Sequence, residues 1–571
     1  MSHTAEKMTN VTINEQTNDR SKPRVCLSGT CPICQDDETK PVVRLSGCTH
    51  VVCKECYPKL ITHSCPVCRA SFKTPMDAKR AKQLLRLHRH THKWFAAWCE
   101  STRLKPLPHQ LSALRWAATI ETGLSPSRLT RGGIIADEMG LGKTMVALAL
   151  MMYRPKPHQL IVVPKVLLRQ WRDIIRDRLG HDPLVMHGKG VAKRTAEEIA
   201  AAPIVLTTFG MITRRARPST THLLLSEQPW NRVFFDEAHH LRNRGTAFVG
   251  ARALQTEHMW LLTGTPIQNR RMDLVAYWSL LHVPSGVFMI PGAEKQLIDN
   301  HILRRTKASL GLDLSEPESS VELCSWQDRN ELDISDQFHS TLKCLGRSRT
   351  APVRHGVQVF GAQALAAMVR CRQSCVSADL YLAELREWEE RRRNGLGDQA
   401  PAPLPPLQAG SKLRDVSNHV LGLRAADAAD GEEPRRQVVF CHYLGAMEYL
   451  QQRLEREGLK VGQINGRTPP TTRAAFGTSP VDVLLLQIRT GCEGLNLQAY
   501  SDVYLVTPHW NPAVEEQAIG RCHRMGQERT VRVFRFMMEA TGDEGASLDA
   551  YCATAQERKR LIATIIPVRN Y

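Results

Sequence analysis

Thiolates and one imidazole recur at short intervals near the N-terminus, in the pattern Cys31-x2-Cys34-x13-Cys48-x-His50-x2-Cys53-x2-Cys56-x8-Cys65-x2-Cys68. Such donors suit tetrahedral Zn²⁺. Eight of them fill two four-coordinate sites with no open position, so two Zn²⁺ ions held there would be structural. A segment of about 40 residues buries too little apolar surface to fold readily by itself, so metal binding must supply much of its folding free energy. Eight of the 17 cysteines lie in the first 68 residues, which favours a metal site in a reducing compartment over a disulfide framework.

A different chemistry begins at Gly132-Gly-Ile-Ile-Ala-Asp-Glu-Met-Gly-Leu-Gly-Lys-Thr144, where a short apolar run enters a glycine-rich turn and then an alanine- and leucine-rich helix. Gly140 and Gly142 let the backbone curl around phosphate, Lys143 can contact β- and γ-phosphates, and the Thr144 hydroxyl can contact Mg²⁺. The common phosphate-loop pattern has glycine where this chain has Asp137. Downstream, Asp236-Glu-Ala-His239 follows the apolar run Val233 to Phe235. Asp236 at a strand end can hold Mg²⁺ through water, and Glu237 can orient the attacking water and accept its proton. Far along the chain, Gln517-Ala-Ile-Gly-Arg521-Cys-His-Arg524 places Arg521 and Arg524 one helical turn apart on one face. Their guanidinium groups can stabilise charge on a transferring phosphoryl group, provided the two parts of the chain close on one another.

These residues need parallel strands to hold them. With 571 residues, the chain has room for three or four domains. Every long apolar run is interrupted well short of a bilayer-spanning length. The net charge of +19 attracts polyanions in a salt-dependent way. Residues 1–24 are polar and read as a flexible leader, 25–75 as the zinc module, and 76–103 as a basic helical connector. From 104 to 310, short apolar runs (Leu160 to Val163, Ile204 to Leu206, Val233 to Phe235) alternate with longer mixed segments, the rhythm of an α/β domain. Residues 311–410 are expected to be helical and then to end in a linker containing APAPLPPLQAG. A second α/β unit is expected over 411–560, with strands at Val438 to Phe440, Val481 to Leu486, Val503 to Val506 and Val531 to Phe536, followed by a tail over 561–571.

Residues 31–68 resemble the RING finger family. The resemblance implies a cross-brace in which Cys31, Cys34, Cys53 and Cys56 hold one zinc and Cys48, His50, Cys65 and Cys68 the other. Ile33, Pro66 and Arg69 match the positions by which such modules contact a ubiquitin-conjugating enzyme and ubiquitin. The residues alone leave open a zinc-stabilised docking module without ligase activity.

Residues 104–540 resemble superfamily 2 helicases of the Snf2 group, and most closely its Rad5/Rad16-like branch. Leu107-Pro-His-Gln110 matches the adenine-recognising Q motif, which implicates Gln110, and Asp137-Glu-Met-Gly-Leu-Gly-Lys-Thr144 matches motif I, which adds Glu138, Met139 and Leu141 to the nucleotide loop. Further matches are Ile161-Val-Val-Pro164 with Trp171, Leu206-Thr-Thr-Phe209, Leu262-Thr-Gly-Thr-Pro-Ile-Gln-Asn269 and Leu303-Arg-Arg-Thr-Lys307. In the second half they are Ser411-Lys412, Val438 to Phe440, Gly466 with Arg473 and Phe476, Gly491 to Leu497, Trp510-Asn-Pro512 and Gln517 to Gln527. The resemblance implies two RecA-like lobes, Mg²⁺ and ATP as cofactors, a nuclear location, and translocation on double-stranded DNA with a DNA-bound protein as a further partner. It makes Arg521 and Arg524 arginine-finger candidates, and Thr207, Thr265, Asn496 and Trp510 backbone-contact or coupling residues. Two departures stand out: the RING precedes both lobes instead of lying between them, and Cys492 replaces a commoner glycine in motif V. An RNA-directed motor and a nucleotide-gated RING scaffold without motor activity remain open alternatives at this point.

Overall fold

The architecture rests on apolar runs flanked by turn residues, which form strands buried on both faces when helices cover them. The computed structural model describes residues 25–26, 42–44, 51–53, 78–127, 129–214, 220–312, 315–347, 353–354, 357–358, 362–380, 410–469, 472–473, 475–476, 480–488, 495–524, 526–540 and 547–569. The leader and most of the zinc module lie outside these residues. What is described of that module is an antiparallel sheet of β1 (Val25–Cys26), β2 (Val42–Arg44) and β3 (Val51–Cys53), with Cys53 opposite Val42.

The chain divides into two compact units, the first containing residues up to 266, 272–310 and 566–571, the second 267–271 and 311–565. The first unit is built on seven strands: β4 (Gly133–Ile135), β5 (Gln159–Val163), β6 (Leu184–Met186), β7 (Ile204–Thr208), β8 (Pro229–Asp236), β9 (Gln255–Leu262) and β10 (Ile302–Leu303). All pairs are parallel, in the order β10-β4-β9-β8-β5-β7-β6. Helices α1 (Ala78–Ser101), α2 (Pro108–Glu121), α3 (Lys143–Tyr153) and α4 (Leu168–Leu179) supply part of its core. In α4, Trp171, Ile175 and Leu179 recur at helical spacing and are buried, and the helix stops at Gly180, whose φ of 69° suits a residue without Cβ. The stretch expected as a connector is more than a link: α1 buries Phe95, Trp98 and Cys99 in this core, and Trp94 meets Tyr153 edge-on at 5.2 Å.

The second unit has six parallel strands: β11 (Glu318–Cys324), β14 (Gln437–Cys441), β15 (Val461–Ile464), β16 (Val483–Gln487), β17 (Asp502–Leu505) and β18 (Arg532–Met538). Their order is β11-β18-β17-β14-β16-β15, and a separate two-stranded pair joins β12 (Val353–Arg354) to β13 (Val357–Gln358). The segment 311–410, expected to be helical, therefore contributes an edge strand to the second sheet before entering α5 (Arg329–Arg347) and α6 (Ala362–Ser374). Alternation explains the difference: along β11 Val321 and Leu323 face outward at an edge, a period-two pattern too short and too polar to read as core. The proline-rich linker lies outside the described residues. Helices α7 (Ser411–Ala429), α8 (Leu444–Arg456), α9 (Pro512–Cys522) and α10 (Leu548–Ala563) complete this unit. Of the expected tail, Arg569 belongs to the first unit, where its backbone N–H donates to the Arg304 carbonyl at 2.9 Å. Among the described residues, no helix is long and apolar enough to cross a membrane.

Candidate active site

Strand register sets the site. Leu303 of β10 pairs with Ile135 of β4, Ile135 with Leu262 of β9, and Leu262 with Asp236 of β8. Four adjacent parallel strands thus end at one level, and the loops carrying Arg305, Lys143, Gly264 and Glu237 leave from it. Ligands of open parallel sheets sit at the carboxyl ends of the strands, where helix N-termini point their N–H groups.

The phosphate loop is anchored from both flanks. Gly140 and Gly142 adopt φ of 88° and 80°, and Gly142 caps α3, so Lys143 begins the helix. A Cβ on Gly142 would run into the Gln110 side-chain amide, 2.3 Å away. Gln110 Nε2 donates to the Leu141 carbonyl at 3.4 Å, and His109 Nε2 lies 3.0 Å from the same oxygen. Lys143 Nζ donates to the carbonyls of Asp137 at 2.9 Å and Glu138 at 3.4 Å, folded over the loop where a phosphate would take its protons. Asp137 is buried and gripped by Arg305, with Nε to Oδ1 at 3.0 Å and Nη2 to Oδ2, while Arg305 Nη1 also donates to the His109 carbonyl. The residue that departs from the common pattern is therefore the loop's anchor. Glu138 Oε2 accepts from Lys307 N–H at 2.8 Å, and Lys307 Nζ lies 3.4 Å from Glu138 Oε1.

The acidic pair stands across from the loop. Asp236 Oδ2 accepts from the Trp171 indole N–H at 2.7 Å and Oδ1 from Glu237 N–H at 2.9 Å. Burial, and then the neighbouring Glu237 charge, push the Asp236 carboxyl up to about 6 despite these bonds and the Lys143 ammonium. A cation at that position would relieve the strain on its ionised form, so the residues fit Mg²⁺. Glu237 has φ of 49°, costly for a residue with a Cβ, and its Oε2 lies 3.2 Å from His239 Nδ1. A Cβ on Gly264 would lie 3.0 Å from Met139 Cε and 3.5 Å from Lys143 Nζ, so the Thr-Gly-Thr turn presses on the phosphate loop. Thr265, in that turn, is buried, with its N–H bonded to Thr263 Oγ1 at 3.2 Å. Thr144 follows Lys143 in the first turn of α3.

In the second unit, α9 ends at Cys522, so Arg521 is helical and Arg524 lies beyond the cap at His523. The one-face helix expected for the pair is replaced by a fold-back: Arg524 Nε donates to the Gly520 carbonyl at 3.0 Å. Burial, and then the Arg521 charge, lower Arg524 to about 10, and among the described residues no carboxylate pairs with it. The Arg521 carbonyl accepts from Leu497 N–H at 3.1 Å, tying the end of the motif V block to α9.

The remaining sequence candidates separate. Thr207 is buried at the end of β7, and its hydroxyl donates to the Met186 carbonyl at 2.8 Å. Asn496 is exposed, with Nδ2 donating to Gln498 Oε1 at 3.0 Å. Trp510 is half-buried, edge-on to Tyr551 at 6.0 Å. Of the zinc ligands, only the Cys53 backbone is described; Cys31, Cys34, Cys48, His50, Cys56, Cys65 and Cys68, with Ile33, Pro66 and Arg69, lie outside the described residues.

Residues 109–286 match the model of the SNF2-related domain, 415–526 the helicase conserved C-terminal domain, and 27–74 the zinc finger of C3HC4 type (RING finger). The chain is a Snf2-superfamily ATPase/helicase with an N-terminal RING finger. This Snf2-superfamily chain is 27% identical over 479 residues to the probable global transactivator of Orgyia pseudotsugata multicapsid polyhedrosis virus, covering 79% of the chain and 89% of the relative. It is 25% identical to the DNA repair protein RAD5B of Arabidopsis thaliana, over 73% of the chain but only 44% of that relative. Among solved structures, the Sulfolobus solfataricus SWI2/SNF2 ATPase core in complex with dsDNA is 20% identical and covers 80% of the chain and 95% of its own, with a TM-score of 0.33.

In this Snf2-superfamily ATPase/helicase, Arg305, Lys307, Trp171 and Gly264 belong to the site although the sequence reading gave them no role in it. All four fell within recognised blocks. The available signal was the paired cations of Arg304-Arg-Thr-Lys307 at the end of an apolar run, matched by the unexplained Asp137 and Glu138 in the loop.

Proposed function

We propose that this chain hydrolyses ATP to ADP and phosphate and uses the cycle to translocate on double-stranded DNA, remodelling DNA or DNA-protein complexes. The observation that carries the hydrolytic part is the row of strand ends that brings Lys143, Asp236 and Glu237 to one level beside an anchored phosphate loop. Gln110 would recognise the adenine. The loop N–H groups and Lys143 would bind the β- and γ-phosphates, and Thr144 and Asp236 would hold Mg²⁺, which when bound neutralises phosphate charge. Glu237 would orient water and take its proton, and Arg524, with Arg521, would stabilise the transferring phosphoryl group. Thr207, Thr265, Asn496 and Trp510 are candidates for coupling or backbone contact.

Duplex DNA as the track is supported by the net charge of +19 and by the relative named as a DNA repair protein. The Rad5/Rad16-like branch, a nuclear location, and roles in DNA repair or chromatin remodelling belong to the same proposal. So does the RING arm: two Zn²⁺ on the eight donors would hold its fold, and Ile33, Pro66 and Arg69 would dock a conjugating enzyme and ubiquitin to give ligase activity.

A triplex-displacement assay on duplex DNA tests the motor. Wild type is expected to displace the third strand with ATP and Lys143→Ala to fail; equal displacement by both defeats the mechanism. For the RING arm, chain formation with activating enzyme and a panel of conjugating enzymes should vanish in Ile33→Ala while ATPase persists.

A further inference from the structure

Helix α1 has two opposite faces. One, carrying Phe95, Trp98 and Cys99, is buried in the first unit's core. The other carries Lys82, Arg86, Arg89 and Lys93, all exposed. Their spacing of 4, 3 and 4 residues places them within about 60° of arc, along about 16 Å of helix. Among the described residues none of the four is in an ion pair, and Glu100 in the last turn is the helix's sole acid.

A face that is merely solvated gains by alternating signs, because like charges at i,i+4 destabilise a helix by about 0.2–0.5 kcal/mol per pair. Here Lys82/Arg86 and Arg89/Lys93 are such pairs, and no acidic residue occupies the first turn, so the N-terminal cations also oppose the helix dipole. The packing of Phe95, Trp98 and Cys99 fixes the helix's rotation and keeps the stripe outward. A linear polyanion relieves both conflicts at once.

We propose that this stripe is an accessory binding site for the phosphate backbone of duplex DNA, outside the motor's helicase blocks. Duplex DNA carries about one charge per 1.7 Å of axis, so a 16 Å stripe meets several phosphates without reading base sequence. The proposal rests on the duplex-DNA reading above and adds a place on the chain, just after the RING, where the DNA is held regardless of nucleotide state.

The test is duplex-DNA affinity by fluorescence anisotropy without nucleotide, across a salt series. It compares wild type with a Lys82→Gln/Arg86→Gln/Arg89→Gln/Lys93→Gln variant. The slope of log affinity against log salt should become shallower by up to about 3.6, and affinity near 0.1 M salt should fall by more than about tenfold. The ATPase rate at saturating duplex should be unchanged while the half-saturating DNA concentration rises. A charge-preserving variant, Lys82→Arg/Arg86→Lys/Arg89→Lys/Lys93→Arg, should keep the wild-type slope, which separates charge from folding. An unchanged slope in the glutamine variant, with duplex-stimulated ATPase intact, overturns the stripe and leaves the motor standing. Wild type that neither binds nor responds to duplex overturns both.

Discussion

Both units pair their structural charges, but each leaves a charge of opposite sign strained at its candidate site residues: Asp236 in the first and Arg524 in the second. In the first, Arg305 neutralises Asp137 in the phosphate loop, and at the other end of the strands Glu121 matches Arg232 with Nε and Nη2 at 2.8 and 2.7 Å, whereas Asp236 stays disfavoured as an anion despite bonds from the Trp171 indole and the Glu237 N–H. The second unit also pairs its structural charges, Lys412 with Asp549 and Arg532 with Asp502. Arg524 is the contrast, half-buried beside Arg521, held by one carbonyl and disfavoured as a cation yet still charged at neutral pH. A cation kept at an electrostatic cost is one that an incoming anion can stabilise, whereas a paired cation has already spent its attraction. By that contrast Asp236 is a group prepared for a cation and Arg524 one prepared for negative charge.

The largest expected effect therefore belongs to Arg524. Arg524→Ala should lower the DNA-stimulated hydrolysis rate by about 10³-fold, the scale of arginine-finger losses, while nucleotide affinity changes only a few-fold. Arg524→Lys should recover little, because an ammonium lacks the planar fork. Rates measured at saturating ATP, with separate nucleotide-binding titrations, check this. A loss below about tenfold would make Arg524 a packing residue and erase the contrast between the units.

Most of this arrangement was legible in the sequence, for a physical reason. Buried parallel strands must be apolar on both faces, so Leu160 to Val163 and Val438 to Phe440 announced themselves within the observed Gln159–Val163 and Gln437–Cys441. Glycines with positive φ and a lysine opening a helix marked the phosphate loop equally well. What stayed hidden depended on distant partners. Nothing near Asp137 in the chain announces Arg305, and Thr207 reads alike whether its hydroxyl meets solvent or Met186. The edge strand β11 was missed because its outward Val321 and Leu323 obscure the alternation, and the fold-back of Arg524 because a helix end within a continuous motif leaves little compositional trace.

Next in size are the buried ion pairs, one in each unit. Arg305→Met strands the buried Asp137 carboxylate, and Lys412→Met strands Asp549; removing one partner of such a pair costs about 3–5 kcal/mol. Hydrogen exchange resolved by unit should show each loss confined to its own sheet. Only Arg305→Met should also weaken nucleotide binding, since Asp137 anchors the loop. If Lys412→Met weakened nucleotide binding equally, the two pairs would not differ in role. Replacing both members of the second-unit pair, Lys412→Met with Asp549→Leu, should restore much of the lost stability because no charge is left unpaired.

The smallest effect separates the units by pH. Asp236, pushed up to about 6 by burial and then by Glu237, holds its proton below that pH in the nucleotide-free protein. Binding a divalent cation there needs the carboxylate, so the proton must leave. Mg²⁺-nucleotide affinity should be flat above about pH 6 and fall about tenfold for each unit below it, with one proton released on binding. Calorimetry in buffers of different ionisation enthalpy measures that release. Glu237→Gln removes the neighbouring charge but leaves the burial, so the break in the affinity profile should move to lower pH without vanishing; Asp236→Asn should abolish it. Arg524, lowered only to about 10, keeps its charge throughout this range, so an acid break tied to the second unit would contradict the assignment. A break unmoved by Glu237→Gln would show that burial alone holds the Asp236 proton and that the two carboxylates act independently.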